Sequence, residues 1–331
     1  MNSLHTVTGA IAPAALGRTL MHEHLHVGFP GWETDTLHPG PARREIVALC
    51  VDRIERLKAA GYASLLDPCP ADLGRDVDLM AEVATRTGFN IVCSTGLYHE
   101  SLGGNAYWRL IGHMHRDAAA RLAEVYVREL TAGIGATGIR AGIIKVATGA
   151  PSITDFERVL LEAAAQASNA TGAPITTHTD AVLGDEQLGF LADRGVPAHR
   201  IVIGHSCGST DHAYHMRIVD GGAYIGFDRF GIVSLQPDEV RVESLLKLAG
   251  RGALSRIVVS HDSVWCMRGN LFAPGQLEEF QRTSHPLHFS ETIAPMLRRG
   301  GLSEADLDAL TVENPRRFFA GDPLPALAPR A

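Results

Sequence analysis

The feature that most constrains the fold is a regular alternation of short apolar runs with longer amphipathic runs along the chain. The strand-like runs are Thr19–His24, Ala63–Asp67, Asn90–Thr95, Ala141–Val146, Pro174–His178, Ile201–His205, Ala223–Phe227 and Ile257–His261. The helix-like runs are Ala42–Ala60, Asp76–Thr87, Asp117–Thr131, Thr154–Thr171, Gly184–Arg194, Thr210–Asp220, Pro237–Leu248 and Leu287–Arg299. Such alternation predicts a parallel sheet with crossover helices. Eight units in 331 residues favour a closed (β/α)8 barrel, while the count alone leaves an open doubly wound sheet as the alternative.

The chain shows no internal boundary that would separate two domains. It contains no low-complexity linker and no block of like charge. Because an α/β barrel commonly uses about 250 residues or more in a single domain, we predict one barrel over residues 1–331. In this prediction, residues 301–320 form a C-terminal helical extension.

Composition restricts the partners and the compartment. The 37 acidic residues outnumber the 30 basic ones, and the net charge of −7 argues against nucleic acid or an anionic membrane as a partner. No run reaches the roughly 18 apolar residues of a spanning helix, and the N-terminal segment does not have the pattern of a signal peptide. The five cysteines are scattered without a CxxC pair, which favours a reducing compartment. We therefore predict a cytoplasmic protein.

One short motif resembles a dinucleotide-binding turn. Gly133–Gly138 reads GIGATG, which matches GxGxxG letter by letter. That turn needs a strand before it and a helix after it, so that the helix N-terminus meets the pyrophosphate. Here the order is reversed, and we predict a loop.

A second motif resembles a zinc-binding helix. His22–His26 reads HEHLH and satisfies HExxH, which binds zinc only from a helix. The sequence VGFPG follows at once and leaves no room for a helix of useful length. A strand is favoured instead, on which His22 and His24 point to one side and Glu23 to the other.

Sixteen histidines are the outlier of the composition, and several fall where predicted strands end. The residues at these carboxyl ends that could form a metal site are His22, His24, Lys145, His178, His205 and Asp262. Barrel enzymes build their active sites at this end of the strands. A single histidine at a strand end is more often a hydrogen-bonded structural residue, so the prediction depends on the whole set.

Lys145 lies in the run AGIIKVATG, where Ile143, Ile144 and Val146 indicate a buried strand. The side chain could extend to solvent, but an unpaired ammonium inside the barrel would be costly. Burial lowers the pKa of a lysine and leaves a neutral nucleophile. In that form Lys145 can capture carbon dioxide as a carbamate, whose charge and two oxygens suit a bridge between two cations.

The set divides into two metal sites. His22, His24 and Asp262 would hold the more buried ion. His178 and His205 would hold the outer ion, and the lysine carbamate and a hydroxide would bridge both. The net positive charge suits polarising a carbonyl or phosphoryl oxygen and making a nucleophile from water at neutral pH. Zinc is the predicted metal, with cobalt, manganese or iron as alternatives, because histidine and carboxylate sets accept all four.

In this order, these residues resemble the phosphotriesterase family of the amidohydrolase superfamily. The match covers nearly the whole chain and is carried by MHEHLH, STGLY, GIRAGIIKVATG, TTHT, IGHS, YIGFDRFG, SHDS and TVENPRRFF. The resemblance implies a (β/α)8 barrel, a binuclear metal centre with a carboxylated lysine, and a homodimer. The metal ligands that it implies are His22, His24, Lys145, His178, His205 and Asp262.

Within the family, the chain is most similar to the phosphotriesterase-like lactonases. Tyr98 in TGLY and Arg229 in GFDRFG stand where those enzymes carry a tyrosine and an arginine at the pocket. SHDS differs from the corresponding strand end of dedicated organophosphatases, and the segment Asp228–Gln236 is shorter than theirs. Tyr98 could hydrogen-bond the bridging hydroxide or the lactone carbonyl, or it could be a buried tyrosine of the rim without such a role. The resemblance implies that Asp262 accepts the proton of the hydroxide.

The segment Ser263–Ser284 is predicted to supply the apolar part of the substrate pocket. Its candidate pocket residues are Trp265, Met267, Leu271 and Phe272. Arg229 has two interpretations, since it could orient the substrate or pair with Asp228 as a support for its loop.

Other histidines and one cysteine near these motifs are predicted to have no metal role. His113 and His115 form a second HxH on a Gly/Asn-rich loop without further ligands nearby in the pattern. His261 should face away from Asp262 on its strand, and Cys207 is expected in the core or rim.

The leading functional hypothesis is a metal-dependent hydrolase that opens lactones, such as N-acyl homoserine lactones or other γ- and δ-lactones, by attack of the metal-bridging hydroxide. Promiscuous phosphotriesterase activity would accompany it. The alternative makes an organophosphate triester the main substrate, because a planar carbonyl and a tetrahedral phosphorus both suit such a centre. A remote alternative is a non-catalytic metal-binding barrel, which would predict a broken ligand set.

Overall fold

The structure is a computed structural model, and it describes residues 3–102, 104–273 and 275–327. Its strands are β1 (Leu4–Thr6), β2 (Gly9–Ile11), β3 (Arg18–Leu20), β4 (Glu23–His24), β5 (Tyr62–Asp67), β6 (Asn90–Gly96), β7 (Ile143–Ala147), β8 (Ile175–His178), β9 (Ile201–Ile203), β10 (Tyr224–Phe227), β11 (Ile257–Val259) and β12 (Ser263–Val264). Its α-helices are α1 (Arg43–Ala59), α2 (Val77–Thr87), α3 (Ala106–Met114), α4 (Ala118–Thr131), α5 (Asp155–Thr171), α6 (Gly184–Ala192), α7 (His212–Asp220), α8 (Asp238–Gly250), α9 (Gln276–Thr283), α10 (Ala294–Arg299), α11 (Glu304–Asp308) and α12 (Asn314–Ala320).

Within these described ranges, eight strands form one parallel sheet in the order β3-β5-β6-β7-β8-β9-β10-β11. Met21, after β3, donates its N–H to Val259 O on β11 at 3.3 Å, so the two edge strands approach each other. The sheet is nearly closed into a barrel with helices around it, and the predicted (β/α)8 architecture is confirmed. The doubly wound alternative is wrong, because its strand order would reverse at a switch point instead of following the chain.

The first and eighth predicted strands are both interrupted. Thr19–His24 forms β3 and β4, and Ile257–His261 already ends as a strand at Val259, before β12 begins. β4 and β12 pair in parallel, with Ser263 opposite Glu23. These short strands extend the barrel wall beyond the main sheet, at the end where the predicted metal ligands lie.

The buried carboxylate of Glu23 joins these two strands. Its Oε1 accepts hydrogen bonds from the Ser260 hydroxyl at 2.8 Å, from the His261 backbone N–H at 3.1 Å and from His261 Nδ1 at 2.6 Å. The Ser263 hydroxyl donates to Oε2. All of these side chains are buried, so each bond compensates for the loss of water. Glu23 thus points away from the two histidines that flank it, which confirms the strand interpretation of HEHLH.

Helix boundaries follow local capping chemistry. At the start of α5, Thr154 Oγ1 accepts from the Glu157 N–H at 3.2 Å, and Glu157 Oε2 accepts from the Thr154 N–H at 3.0 Å. The same helix ends at Gly172, whose φ of 74° is the left-handed conformation that favours glycine. At the start of α2, the Asp76 side chain accepts from the Leu79 N–H. The sequence predicted both helices to within one residue.

Two helices lie in segments that the alternation did not assign. α9 falls inside the segment predicted to line the pocket. α3 begins after Asn105, whose side chain accepts from the Trp108 N–H at 3.2 Å. The loop prediction for His113 is therefore wrong, since that residue lies within α3. None of the residues of α3 is fully buried, although Trp108 packs against the hydrophobic core.

The two motifs without supporting context behave as the sequence predicted. Residues 133–138 form a turn between the end of α4 and the start of β7, so GIGATG is a loop. HEHLH contains the two residues of β4 and no helical turn.

The amino end of the barrel is covered by the chain termini. A second hydrophobic cluster, separate from the main core, is buried at this end. It includes Leu4, Leu16, Tyr224, Phe318 and Phe319. Asn314 on α12 donates from Nδ2 to the carbonyls of Leu254 and Ile257 at 2.8 and 2.7 Å. Among the described ranges, no helix combines the length and the apolar character that crossing a bilayer requires.

Candidate metal centre

The six residues predicted as metal ligands converge at the carboxyl end of the strands. His22, His24, Lys145, His178 and His205 are each at most 6% exposed, and the Asp262 side chain is 14% exposed. Neighbouring imidazole rings have centroids 4.7 to 5.2 Å apart. Residues spread over 240 positions of the sequence are thus brought into one buried cluster.

Three of these residues form a compact group that could hold a metal ion. The ligand atoms of His22, His24 and Asp262 lie within 4.8 Å of one another. Asp262 Oδ1 is 3.4 Å from His22 Nε2 and 3.2 Å from His24 Nε2. Two imidazole nitrogens and a carboxylate oxygen facing one another are a donor set that divalent zinc accepts.

The two remaining histidines lie beside this group. The His178 and His205 rings have centroids 4.7 Å apart and meet edge to face. His205 Nε2 is 3.7 Å from Asp262 Oδ2. The His205 ring is equally close to His22, with centroids 4.7 Å apart, so the division of the four histidines into two sites stays a prediction.

Lys145 on β7 reaches into the middle of the cluster. Its Nζ lies 3.4 Å from His22 Nε2 and 3.4 Å from the Thr177 carbonyl oxygen. Burial lowers the pKa of Lys145 to about 8, because the charged form is poorly solvated there. The carboxylates of Asp262 and Asp228 offset part of this effect on the pKa. A close approach at Gly96 permits this placement, since a Cβ there would lie 1.7 Å from the Lys145 carbonyl oxygen.

Two buried aspartates that the sequence analysis did not select orient these imidazoles. Asp67 Oδ1 is 3.3 Å from His24 Nδ1, and its Oδ2 accepts from the Leu25 N–H at 2.9 Å. Asp228 places Oδ2 at 3.3 Å from His22 Nδ1 and Oδ1 at 3.0 Å from His205 Nδ1. Carboxylates in this position fix the tautomer and the rotation of a ligating imidazole.

A signal for both aspartates existed in the sequence. Asp67 is the last residue of a predicted strand, and Asp228 directly follows another, at the same barrel rim as the histidines. Burial alone would raise the pKa of Asp228, but His205 and His22 outweigh it and hold that pKa well below the usual range. A carboxylate that stays ionised in the interior is therefore compensated by the rings that it orients.

Tyr98 and Arg229 both lie at the cluster. The Tyr98 hydroxyl is 3.2 Å from His178 Nδ1, and burial raises the pKa of this phenol, so it remains a hydrogen-bond donor at neutral pH. Arg229 donates from Nε to Asp262 Oδ2 at 2.9 Å. The interpretation of Arg229 as a partner of Asp228 is wrong, because the Asp228 carboxylate is occupied by the two imidazoles.

Asp262 remains ionised in this setting. Burial alone would raise its pKa, but the surrounding His205, His22 and Arg229 hold it well below the usual range. The carboxylate is thus available as a ligand and as a proton acceptor.

The backbone turns sharply at two of the predicted ligands. His205 and Asp262 have φ values of 58° and 50°, in the left-handed region that non-glycine residues rarely adopt. The strand prediction that ran to His205 is therefore too long, since β9 ends at Ile203. Such conformations cost on the order of 1 kcal/mol each and are concentrated at functional sites.

The four candidate pocket residues lie in different environments. Trp265 is 1% exposed, and its indole N–H donates to Ser263 Oγ at 2.9 Å. Met267 is also buried, because its backbone bridges to Val27 in the wall that closes the barrel. Leu271 is 60% exposed and Phe272 is half-buried. Only the last two residues of this set therefore face accessible space.

An apolar groove lies beside Phe272, and Leu271 is not among its lining residues. It has a volume of about 630 Å³ and is lined mainly by the segment after β10 and by α9. Its apolar residues include Ile232, Val233, Phe272 and Phe280.

The residues predicted to be structural are placed away from the ligand atoms. His261 accepts at Nε2 from the Phe289 N–H at 2.8 Å, so its Nδ1 carries the proton that Glu23 receives. Cys207 is fully buried, and burial raises the pKa of its thiol to about 11.

Comparison with known proteins gives a consistent picture. The model of the phosphotriesterase family matches residues 2–319. A phosphotriesterase homology protein of Mycobacterium tuberculosis is 35% identical over 322 residues, covering 96% of this chain and 98% of that protein. An aryldialkylphosphatase of Saccharolobus solfataricus is 32% identical over 309 residues, covering 92% and 95%. A mutant of a PTE-like lactonase from Deinococcus radiodurans has a similar structure, with a TM-score of 0.91, 38% identity and coverage of 96% and 99%.

Proposed function

Because this chain belongs to the phosphotriesterase family, we propose that it is a metal-dependent hydrolase that opens lactones and hydrolyses organophosphate triesters more weakly. The observation that carries the proposal is the buried cluster of four imidazoles, Lys145 and Asp262 at one end of the barrel. The similarity to a PTE-like lactonase supports the choice of substrate.

The donor set fits two divalent cations. His22, His24 and Asp262 would hold one ion, and His178 and His205 the other. Lys145, as a carbamate, would bridge them, and its lowered pKa of about 8 supports that chemistry because it makes the neutral, nucleophilic amine more accessible than in a free lysine. When bound, the cations would supply Lewis acidity toward the carbonyl or phosphoryl oxygen and would lower the pKa of water. Zinc remains the predicted metal, with cobalt, manganese or iron as alternatives.

The residues of the chain would divide the work of ring opening among them. Asp262 is ionised and can take the proton of the attacking water at Oδ2, then return it to the ring oxygen that leaves. The Tyr98 hydroxyl is protonated and can donate a hydrogen bond to the carbonyl oxygen as charge develops there. Arg229 holds Asp262 in place through Nε and can orient the substrate with its terminal N–H groups.

The apolar groove lined by Phe272 and Phe280 supports a substrate with an acyl chain. A chain laid along Phe272 and Phe280 would bury apolar surface at about 25 cal/mol per Å².

The alternative, an organophosphate triester as the main substrate, is favoured by one observation. The relative from S. solfataricus is named an aryldialkylphosphatase. The same cluster of ligands would serve either reaction, so the residues at the rim and not the metals must decide between them.

One experiment separates the two proposals. Zinc-loaded and cobalt-loaded protein is assayed against γ- and δ-lactones of different acyl chain length and against paraoxon. We expect kcat/KM for at least one lactone to exceed that for paraoxon by about 100-fold or more. A larger kcat/KM for paraoxon than for every lactone would favour the alternative. If neither lactones nor paraoxon were hydrolysed, both proposals would be wrong. The homodimer and the cytoplasmic location stay predictions.

A further inference from the structure

In three of the four clustered histidines, the ring nitrogen that faces an aspartate carboxylate is Nδ1. The pairs are His22–Asp228, His24–Asp67 and His205–Asp228, in which Nδ1 lies 3.3, 3.3 and 3.0 Å from a carboxylate oxygen. In each pair the opposite nitrogen, Nε2, lies 3.2 to 3.7 Å from an oxygen of Asp262. These rings are therefore set to bind a metal through Nε2.

His178 is reversed with respect to the other three. Its Nε2 lies 3.4 Å from Asp180 Oδ1, whereas its Nδ1 lies 3.2 Å from the Tyr98 hydroxyl. An ionised carboxylate only accepts hydrogen bonds, so a neutral His178 ring beside it carries its proton on Nε2. The lone pair is then on Nδ1, where the tyrosine hydroxyl donates to it. The Tyr98 hydroxyl occupies that lone pair here, so a metal ion would bind Nδ1 in place of this hydrogen bond and leave the hydroxyl to donate to the substrate.

Asp180 is itself held in place. Its Oδ2 accepts from the Ala150 N–H at 2.8 Å, just after the strand that carries Lys145. The carboxylate therefore links the end of β7 to the end of β8. On its face, the His178 ring stacks on His99, with centroids 4.9 Å apart and planes 15° apart. His178 is confined at its edge by Asp180 and on its face by His99.

We propose that Asp180 is a positioning residue, which holds His178 in the Nε2–H tautomer and presents its Nδ1 to the outer metal site. This inference rests on the proposed binuclear centre and names a residue that controls one of its two ions. A carboxylate behind a ligating imidazole sets the ring orientation and raises ligand basicity. Asp180 lies in a loop with a 43% exposed side chain, unlike Asp67 and Asp228, and it is therefore accessible to substitution without disturbing the core.

The test measures zinc binding by the full-length protein rather than its activity. Zinc content after equilibrium dialysis and competition with a chelator give the affinity of each of the two sites. We expect Asp180→Ala to weaken binding of one ion by about 10- to 100-fold and to leave the other unchanged. Asp180→Asn should be intermediate, because one amide oxygen can accept from His178 or from Ala150 but serves both poorly. The absorption spectrum of the cobalt-loaded protein should change in the same order.

Asp185→Asn is the matched control. Asp185 begins the following helix and pairs with Arg217 at 2.7 Å on the surface, so its substitution should leave both affinities unchanged. Circular dichroism and thermal unfolding verify that each variant is folded. If Asp180→Ala is not folded, the zinc affinities of Asp180→Asn are compared with those of the wild type instead.

The outcomes separate this inference from the proposed function. Wild-type zinc affinity at both sites in the Asp180 variants would overturn the positioning role. Wild-type protein that binds fewer than two ions would overturn both proposals. Two bound ions whose affinity depends on Asp180, together with no hydrolysis of lactones or triesters, would support the positioning role and overturn only the proposed activity.

Discussion

Lys145 Nζ faces His22 Nε2 at 3.4 Å inside a site closed to solvent. The same His22 nitrogen lies 3.4 Å from Asp262 Oδ1. Burial is costly for the charged amine, and the pKa of Lys145 is lowered because this cost outweighs the attraction of Asp262 and Asp228. If Lys145 carried a carbamate, its oxygen and His22 Nε2 would be ligands of the same cation.

Replacing Lys145 should remove the proposed bridge. We expect Lys145→Ala to lower kcat/KM for the preferred lactone by about 100- to 1,000-fold, since it deletes a ligand shared by both ions. Added short carboxylic acids should restore part of the rate, because a carboxylate can occupy the vacated space. Steady-state kinetics with and without acetate or propionate measures both effects. Activity equal to wild type in the variant would contradict the bridging role.

Asp228 should matter although it is not itself a predicted ligand. Asp228→Asn removes one of the two acceptor oxygens that hold His22 and His205. We expect a 10- to 100-fold loss in metal affinity or in kcat, which is about the size found for partners of ligating histidines. Metal analysis and kinetics are compared with Asp193→Asn, an exposed position on the surface. A loss of the same size in the control would point to a general effect on folding.

Asp72 should make the protein less stable above pH 6. Its Oδ1 accepts from the Tyr98 N–H at 2.9 Å, but its Oδ2 is buried without a partner. Burial raises the pKa of Asp72 from 3.8 to about 6. The folded state therefore favours the protonated carboxyl, and this contribution to stability is present below pH 3.8 and is lost as the pH rises through 6.

The corresponding variant tests the sign of this effect. Asp72→Asn keeps an acceptor for Tyr98 and removes the charge, so it should raise the free energy of unfolding by about 1 to 3 kcal/mol at pH 8. At pH 4 or below, the difference from wild type should shrink toward zero. Urea unfolding at both pH values measures it, with the exposed Asp78→Asn as the control. A variant that is less stable than wild type at pH 8 would refute the prediction.

Glu23 should be essential for closing the barrel. Its two oxygens receive the hydroxyls of Ser260 and Ser263 and two N–H groups of His261. In Glu23→Gln, the amide NH₂ group would replace one acceptor oxygen and would face hydrogen-bond donors that it cannot satisfy. We therefore expect the free energy of unfolding to fall by about 3 to 5 kcal/mol. Denaturant unfolding measures it against Glu279→Gln, which alters only an exposed pair with Arg282. A change below about 1 kcal/mol in Glu23→Gln would show that the network is replaceable.

Phe272 should affect long substrates only. Its ring stacks on Phe280 with centroids 6.3 Å apart in the apolar groove. Phe272→Ala should lower kcat/KM for long-chain lactones by about 10-fold and leave an unsubstituted γ-lactone unchanged. The matched control is Leu37→Ala, which truncates an apolar side chain that is 84% exposed and does not line the groove. Equal losses for short and long lactones would place the acyl chain elsewhere.

Much of the site could be predicted because ligand chemistry and strand ends coincide in the sequence. His22, His24, His178 and His205 stand at or just beyond apolar runs, and a parallel barrel brings such positions to one rim. The alternation in HEHLH also decided which way Glu23 points. These inferences need only the local period of the chain and its order.

The partners of the histidines could not be predicted in the same way. Asp67, Asp228 and Asp180 are three of 37 acidic residues, and nothing in their own segments states which ring each one meets. The contacts depend on how the barrel staggers β5, β8 and β10 against one another. The left-handed turns at His205 and Asp262 are equally invisible in a strand-like run, because only the surrounding structure holds a residue in that conformation.

By itself, the sequence determined the alternation of parallel strands and helices, the strand ends at which the candidate ligands lie and the residue types that gather there, since hydrophobic period and residue order are local properties. The tertiary structure alone decided that Trp265 is buried, that Arg229 pairs with Asp262 and that His178 is reversed relative to the other three rings. Those outcomes depend on side chains from distant strands competing for the same few acceptors once water is excluded. That competition exists only in the closed barrel.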